Sequence, residues 1–244
     1  SALFLGLYDV AKKQAVRDNA VAVVLLLTTT LSALLFAPVI IASLTDAQWF
    51  EGTMFDYGRQ GVDMHLKVML KAAITLSSWM FGYVGIKHLP LTIVGPINAT
   101  RPVIVLLGAL IIFGERLNAL QWVGVVLAFI SIVLLSRAGK REGIDFVRNR
   151  YILYVALAAI LGATSGLYDR YLLREVDAMF VQSWFSLYQA AMMAIIVAVM
   201  WARRVLPRFH WSWAIPLVTI LLTIADMAYF VALSREESMV AVVS

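Results

Sequence analysis

Cysteine is missing from all 244 residues, which removes disulfide scaffolds, thiolate metal sites and thiol nucleophiles together. Charge is scarce too. Asp, Glu, Lys and Arg make up 14% of the chain, against roughly 25% in soluble domains. Glycine and proline, at 14 and 6 residues, are too few for a collagen-like or low-complexity chain. Histidine occurs three times, as the widely separated His65, His88 and His210, so no metal-ligand spacing is present. No G-x-x-x-x-G-K-[ST] stretch occurs, which leaves no phosphate-cradling loop for nucleotide-driven work. What fills the chain instead is apolar: 62% of residues, with a mean hydropathy of +0.86. A water-soluble fold of this size could not hide so much apolar surface behind so few charges. An all-α polytopic membrane protein is expected. The net charge of +5 reads as orientation in a bilayer rather than as a nucleic-acid footprint, because Lys and Arg gather in short connectors.

A helix needs about 20 apolar residues to cross the hydrocarbon layer. Seven stretches qualify: 20–44, 68–86, 89–113, 117–136, 151–168, 178–202 and 209–234. Three of them hold one charge each, Lys71, Arg101 and Asp226. Residues 1–10 are apolar but too short to span, and read as the last turns of a helix; residues 238–244 read as the start of another. The expectation is seven spans and two partial helices, in a chain incomplete at both ends. The apolar runs are unbroken rather than alternating, against a β-barrel. Lys12 and Lys13 follow the first apolar stretch instead of preceding it, against a signal peptide. Basic connectors fall on every second turn. The positive-inside rule then places Lys12 and Lys13, residues 138–150 and residues 203–208 in the cytoplasm.

Gly6-Leu7-Tyr8-Asp9 recurs as Gly166-Leu167-Tyr168-Asp169, 160 residues on. Met80-Phe81-Gly82-Tyr83 aligns loosely with Met227-Ala228-Tyr229-Phe230 at an offset of 147. Five spans separate the copies, an odd number, so they must cross the membrane in opposite senses. The organisation expected is an inverted five-plus-five helix repeat. Residues 1–137 form the first unit, with its first helix truncated, residues 138–150 a basic cytoplasmic connector, and residues 151–244 a second unit truncated in its fourth helix. Inverted repeats of this kind build many secondary transporters, with the substrate site between the halves near the midplane.

Tyr83, Lys87-His88-Leu89-Pro90, Pro102, Gly114-Glu115-Arg116-Leu117 and Gln121-Trp122-Val123-Gly124 give the stretch 82–135 its character. It resembles an EamA domain of the drug/metabolite transporter superfamily. The resemblance implies two five-helix units, a permease rather than an enzyme, export of amino acids or similar metabolites, no cofactor, and residence in a bacterial inner membrane.

Arg101 lies about 12 residues from either end of its stretch, roughly 18 Å from each edge. A charge at that depth costs at least ~2.5–3.5 kcal/mol unless it faces a cavity or a partner. Asn98 precedes it by three residues on the same face, and Pro96 and Pro102 loosen the backbone around it. Arg101 is either an anchor for an anionic group of a substrate or half of an ion pair holding two helices. Asp226 is the matching anomaly, with Tyr229 and Phe230 on its face; the repeat offset puts Trp79 in the equivalent place. Its possible roles are proton acceptor, cation binder or counter-ion to Arg101. Asp9 and Asp169 are candidates for gating or coupling, against ordinary helix-end charges. Tyr8 and Tyr168 could line the cavity or sit at the membrane interface, and Trp79 and Tyr83 form an aromatic box or simply pack. The expected function is secondary transport of small metabolites by alternating access through a central polar cavity, with protons as coupling ion and with a small-molecule substrate and the lipid bilayer as partners. The competing classes are an intramembrane aspartyl protease, which would need two carboxylates sharing one site, and a structural membrane subunit. Tyr8-Asp9 and Tyr168-Asp169 resemble the Tyr-Asp half of such a protease, but its Gly-x-Gly-Asp companion is absent.

Overall fold

In lipid every backbone polar group must find its partner inside the chain, and an α-helix does this segment by segment. The computed structural model describes residues 2–45, 47–114, 118–141, 149–206 and 209–235, and all its regular elements are helical. They are α1 (Ala2–Val16), α2 (Val21–Thr45), α3 (Val62–His88), α4 (Leu91–Asn98), α5 (Arg101–Phe113), α6 (Ala119–Arg141), α7 (Arg150–Leu172), α8 (Ala178–Ala202) and α9 (Ala214–Arg235), with a 3₁₀ turn at Gln48–Phe50. Six spans among the described residues are long and apolar enough to cross a membrane, α4 and α5 counting together as Leu91–Phe113. The 23-residue α6 covers the remaining apolar stretch. The protein is an all-helical polytopic membrane protein.

Three boundaries differ from the sequence expectation, each for a physical reason. α1 does not stop before Lys12 and Lys13 but carries both, and only Arg17–Ala20 are left to connect it to α2. Lys13 Nζ donates to Leu89 O at 2.6 Å, so its charge caps the chain between α3 and α4. α3 begins at Val62, before the apolar stretch, because its first polar turns find partners across the bundle. The stretch 89–113 is broken at residues 99–100. Pro102 has no N–H for the Asn98 carbonyl, and Thr100 N turns to Ile97 O instead, a tighter i→i−3 bond at 3.1 Å. α5 then ends at Gly114, whose φ of 68° is the left-handed conformation in which helices commonly terminate. Glu115-Arg116-Leu117, residues 142–148 of the basic connector, Arg208 and the partial helix expected at 238–244 lie outside the described residues.

α2 packs along α8, α3 along α7 and α1 along α9, with α3 also touching α8 and α2 touching α9. The α3–α7 seam is the tightest and is lined by small residues. Ser78 Oγ donates to Ala158 O at 2.7 Å, and Thr75 Oγ1 meets Ser165 Oγ at 2.6 Å. Such side chains let two backbones approach and add bonds that lipid cannot offer. Large apolar side chains such as Leu34, Ile111, Leu120 and Ile195 face outward instead. One end of the bundle gathers Arg17, Lys87, Arg150, Arg203 and Arg204, and the other Glu51, Asp56, Asp63, Glu175 and Asp177. At the basic end Asn19 and His210 exchange two bonds of 2.8 Å, tying the α1–α2 and α8–α9 connectors together.

Gly85 is where α3 comes closest to α7. A Cβ there would stand 2.2 Å from Cγ2 of Val155, which is fully buried and stiff. Gly85→Ala is expected to lower the melting temperature in detergent, an overpacking cost of about 1–3 kcal/mol that outweighs better helix propensity. Adding Val155→Ala should recover most of the loss. Gly95→Ala, where a Cβ meets open space, should leave the melting temperature unchanged or slightly raised.

Candidate functional site

Between α2, α3, α8 and α9 lies a cavity whose free volume, about 10 Å³, admits one water. α2 lines it with Thr28, Thr29 and Ser32, and α8 with Phe185, Ser186 and Gln189. Trp79 of α3 closes one wall, its ring edge-on to Phe185 at 6.2 Å, and Thr219, Leu222 and Asp226 of α9 close another. Most hydroxyls here donate to their own helix: Thr29 to Leu25 O at 2.8 Å, Ser186 to Gln182 O at 3.0 Å, Thr219 to Ile215 O at 3.1 Å. Their lone pairs stay free toward the cavity. Ser32 bridges the walls, 3.2 Å from Ser186 Oγ and 3.3 Å from Thr223 Oγ1. The Nε2 of Gln189 and the Oε1 of Gln182 are buried without a hydrogen-bond partner. Among the described residues the ionisable group on the lining is Asp226.

These polar residues were not singled out from the sequence. A signal existed: Thr28, Thr29 and Ser32, and Gln182, Ser186 and Gln189, recur at helical spacing in otherwise apolar, uncharged stretches. Lys71 is a second omission. Because α3 starts at Val62, Lys71 sits nine residues into the helix, roughly 14 Å from its start. It is 2% exposed and its Nζ lies 2.6 Å from Oδ1 of Asp169, itself 4% exposed. The same ammonium stands 4.1 Å from the ring centre of Phe185 and 4.9 Å from that of Phe230. Asp226 feels this pair from beside it. One turn toward the acidic end Lys67 pairs with Glu175. That hydrogen bond holds the Glu175 carboxyl, in the exposed α7–α8 connector, below its ordinary range. Tyr168 belongs to this end, stacked on Tyr171 at 5.8 Å, and is not on the cavity lining.

Arg101 opens α5 at the break. Its Nη2 donates to Ser78 Oγ at 3.3 Å and to Ala158 O at 3.4 Å, and its Nε has no partner. The guanidinium rests on the bare backbone at Gly162 of α7, where a Cβ would stand 2.1 Å from Nη2. Among the described residues no ion pair joins Arg101 and Asp226. Tyr8, Tyr229, Asp226 and Asp9 lie within electrostatic range of Arg101, while Asn98 ends α4 three residues before it. Lys12, expected in an exposed connector, is 8% exposed; its Nζ is 4.4 Å from the ring centre of Tyr83 and 5.3 Å from that of Tyr8. Tyr83 itself is 1% exposed, and Tyr229 packs against Phe230 at 5.6 Å. Among the described residues no three His, Asp or Glu side chains gather as a metal site would require.

The family description of EamA-like transporters matches residues 1–137, and that of solute carrier family 35 matches residues 88–236. A solved structure described as "Crystal structure of protein" is similar at a TM-score of 0.63 and 20% identity, covering 98% of this chain and 79% of its own. That likeness is one of fold. No curated protein matches the chain. With more than half of the residues accounted for by the first family alone, the chain belongs to the EamA-like transporter family of the drug/metabolite transporter superfamily, membrane transporters of small solutes.

Proposed function

We propose that the chain is a secondary active transporter of small metabolites such as amino acids, working by alternating access. The observation that carries this reading is the polar cavity with Asp226 on its wall, enclosed by helices whose outward faces are apolar. Buried polar atoms without partners, such as Gln189 Nε2, cost about 1–3 kcal/mol each, a cost that a bound solute or water would offset. The free volume is far below that of a metabolite, so admission requires the helices around the cavity to part at one end.

The pattern of helix contacts supports two inverted units. Exchanging α1 with α7, α2 with α8 and α3 with α9 turns the α1–α9 contact into α7–α3, returns α2–α8 to itself, and turns α2–α9 into α8–α3; all of these contacts exist. On this reading residues 1–137 and 151–244 rock against each other about the α2–α8 seam, joined by a cytoplasmic connector at 138–150, in a bacterial inner membrane. Arg101, Asn98, Trp79, Tyr83, Tyr8 and Tyr229 contact the solute, with Tyr168 nearer the acidic mouth. Asp226 accepts the coupling proton, and Asp9 and Asp169 act in gating. The aspartyl-protease alternative has less support, since no hydrogen bond joins two Asp carboxyls among the described residues.

Asp226→Asn in proteoliposomes is expected to abolish uptake of radiolabelled amino acids driven by a pH gradient while leaving solute counterflow intact. Survival of both would remove the coupling role, and absence of counterflow in the unaltered protein would remove the transport reading. Gly162→Ala pushes on the tip of the flexible Arg101 side chain rather than on backbone. It should therefore keep the melting temperature and lower counterflow roughly tenfold, the size of one misplaced charge-assisted contact. An unchanged counterflow rate would show that Arg101 is remote from the solute.

A further inference from the structure

We infer that Lys12 and Arg101 form an anion subsite that takes the carboxylate of the transported solute; this rests on the transport function proposed above. Lys12 is more than nine-tenths buried, four residues before the end of α1. Among the described residues no oxygen accepts a hydrogen bond from its ammonium, which stands over the Tyr83 and Tyr8 rings and feels Asp9, three residues earlier on α1. Ring faces attract a cation but supply no hydrogen-bond acceptor for the N–H groups of a desolvated ammonium. Arg101 is in the same position. Its two hydrogen bonds are long and go to neutral oxygens, and its Nε is buried and unpartnered. Arg101 is also the first residue of α5, whose leading N–H groups have no acceptor within the helix. A half-helix start at the midplane favours an anion in transporters with broken helices.

The charge count around these residues points the same way. Lys12 and Arg101 lie within electrostatic range of each other, and both feel Asp9. Toward the acidic end Lys71 is paired with Asp169, and Asp226 stands within electrostatic range of Lys71 and Arg101 alike. A solute with a carboxylate at one end and an ammonium at the other fits this polarity in a single orientation, its carboxylate toward Lys12 and Arg101.

The test uses the full chain in detergent, with sodium benzoate as probe and benzamide, its neutral isostere, as comparator. Thermal stabilisation should saturate with benzoate and be absent with benzamide. Lys12→Met and Arg101→Gln should each weaken the apparent benzoate Kd at least tenfold, Lys12→Arg should retain it, and the exposed Arg17→Gln should not change it. If Lys12→Met fails to fold, Arg101→Gln and Lys12→Arg still decide. Equal responses to benzoate and benzamide, or unchanged Kd in Lys12→Met and Arg101→Gln, would overturn the subsite even where amino-acid counterflow is intact. Benzoate-specific binding without counterflow of any amino acid would leave the anion site standing and overturn the transport reading.

Discussion

Inside the hydrocarbon layer neither a carbonyl nor an ammonium finds water, and the Lys71–Asp169 contact at 2.6 Å is where that constraint bears hardest on this chain. Separating two such charges in a medium of low dielectric is expensive, and deleting either one leaves the other buried alone, a loss typically of 3–5 kcal/mol. The helices that carry them are therefore held in register. α3 and α7 also meet through Ser78, Thr75 and Ser165, whose hydroxyls bond across the seam, and through Gly85, which lets the backbones close up. Packing and charge act on the same pair of helices.

The rest of the site follows from what this seam leaves over. Where α7 presents Gly162, the Arg101 guanidinium can lie flat on its backbone, and where α4 breaks into α5 the chain brings that arginine to the middle of its span. α2 and α8 meet on the other side of the bundle through short hydroxyl side chains. Their hydroxyl donors are used within each helix, so the cavity they enclose offers acceptor oxygens beside one carboxylate, with the Gln189 amide as its free donor. Such a wall suits donor-bearing solutes and disfavours bare anions on that side.

Apolar run length reports bilayer thickness directly, which is why the stretches 20–44 and 178–202 coincide with α2 and α8 to within a residue. Arg101 and Asp226 also stood out in the sequence, because a lone charge in an apolar run has few innocent explanations. What failed was the reading of charge near helix ends. Lys12 reads as a connector residue in the sequence, since its covering ring, Tyr83, lies 71 residues away. Lys71 lies near the edge of its apolar run, whereas the helix itself begins nine residues earlier. The lining hydroxyls escaped notice because Thr and Ser barely dent a hydropathy average, although their spacing was regular. The break at 99–100 was foreshadowed by two prolines, but its position depends on which backbone bonds the fold can replace.

Lys67 and Lys71 stand one helical turn apart on α3, and their carboxylate partners Glu175 and Asp169 flank the end of α7. They work as a two-tooth zip fastener. The outer tooth is wet and opens at little cost, whereas opening the inner one strands two buried charges. The acidic end of the α3–α7 seam therefore loosens from the outside inward, the wet contact first.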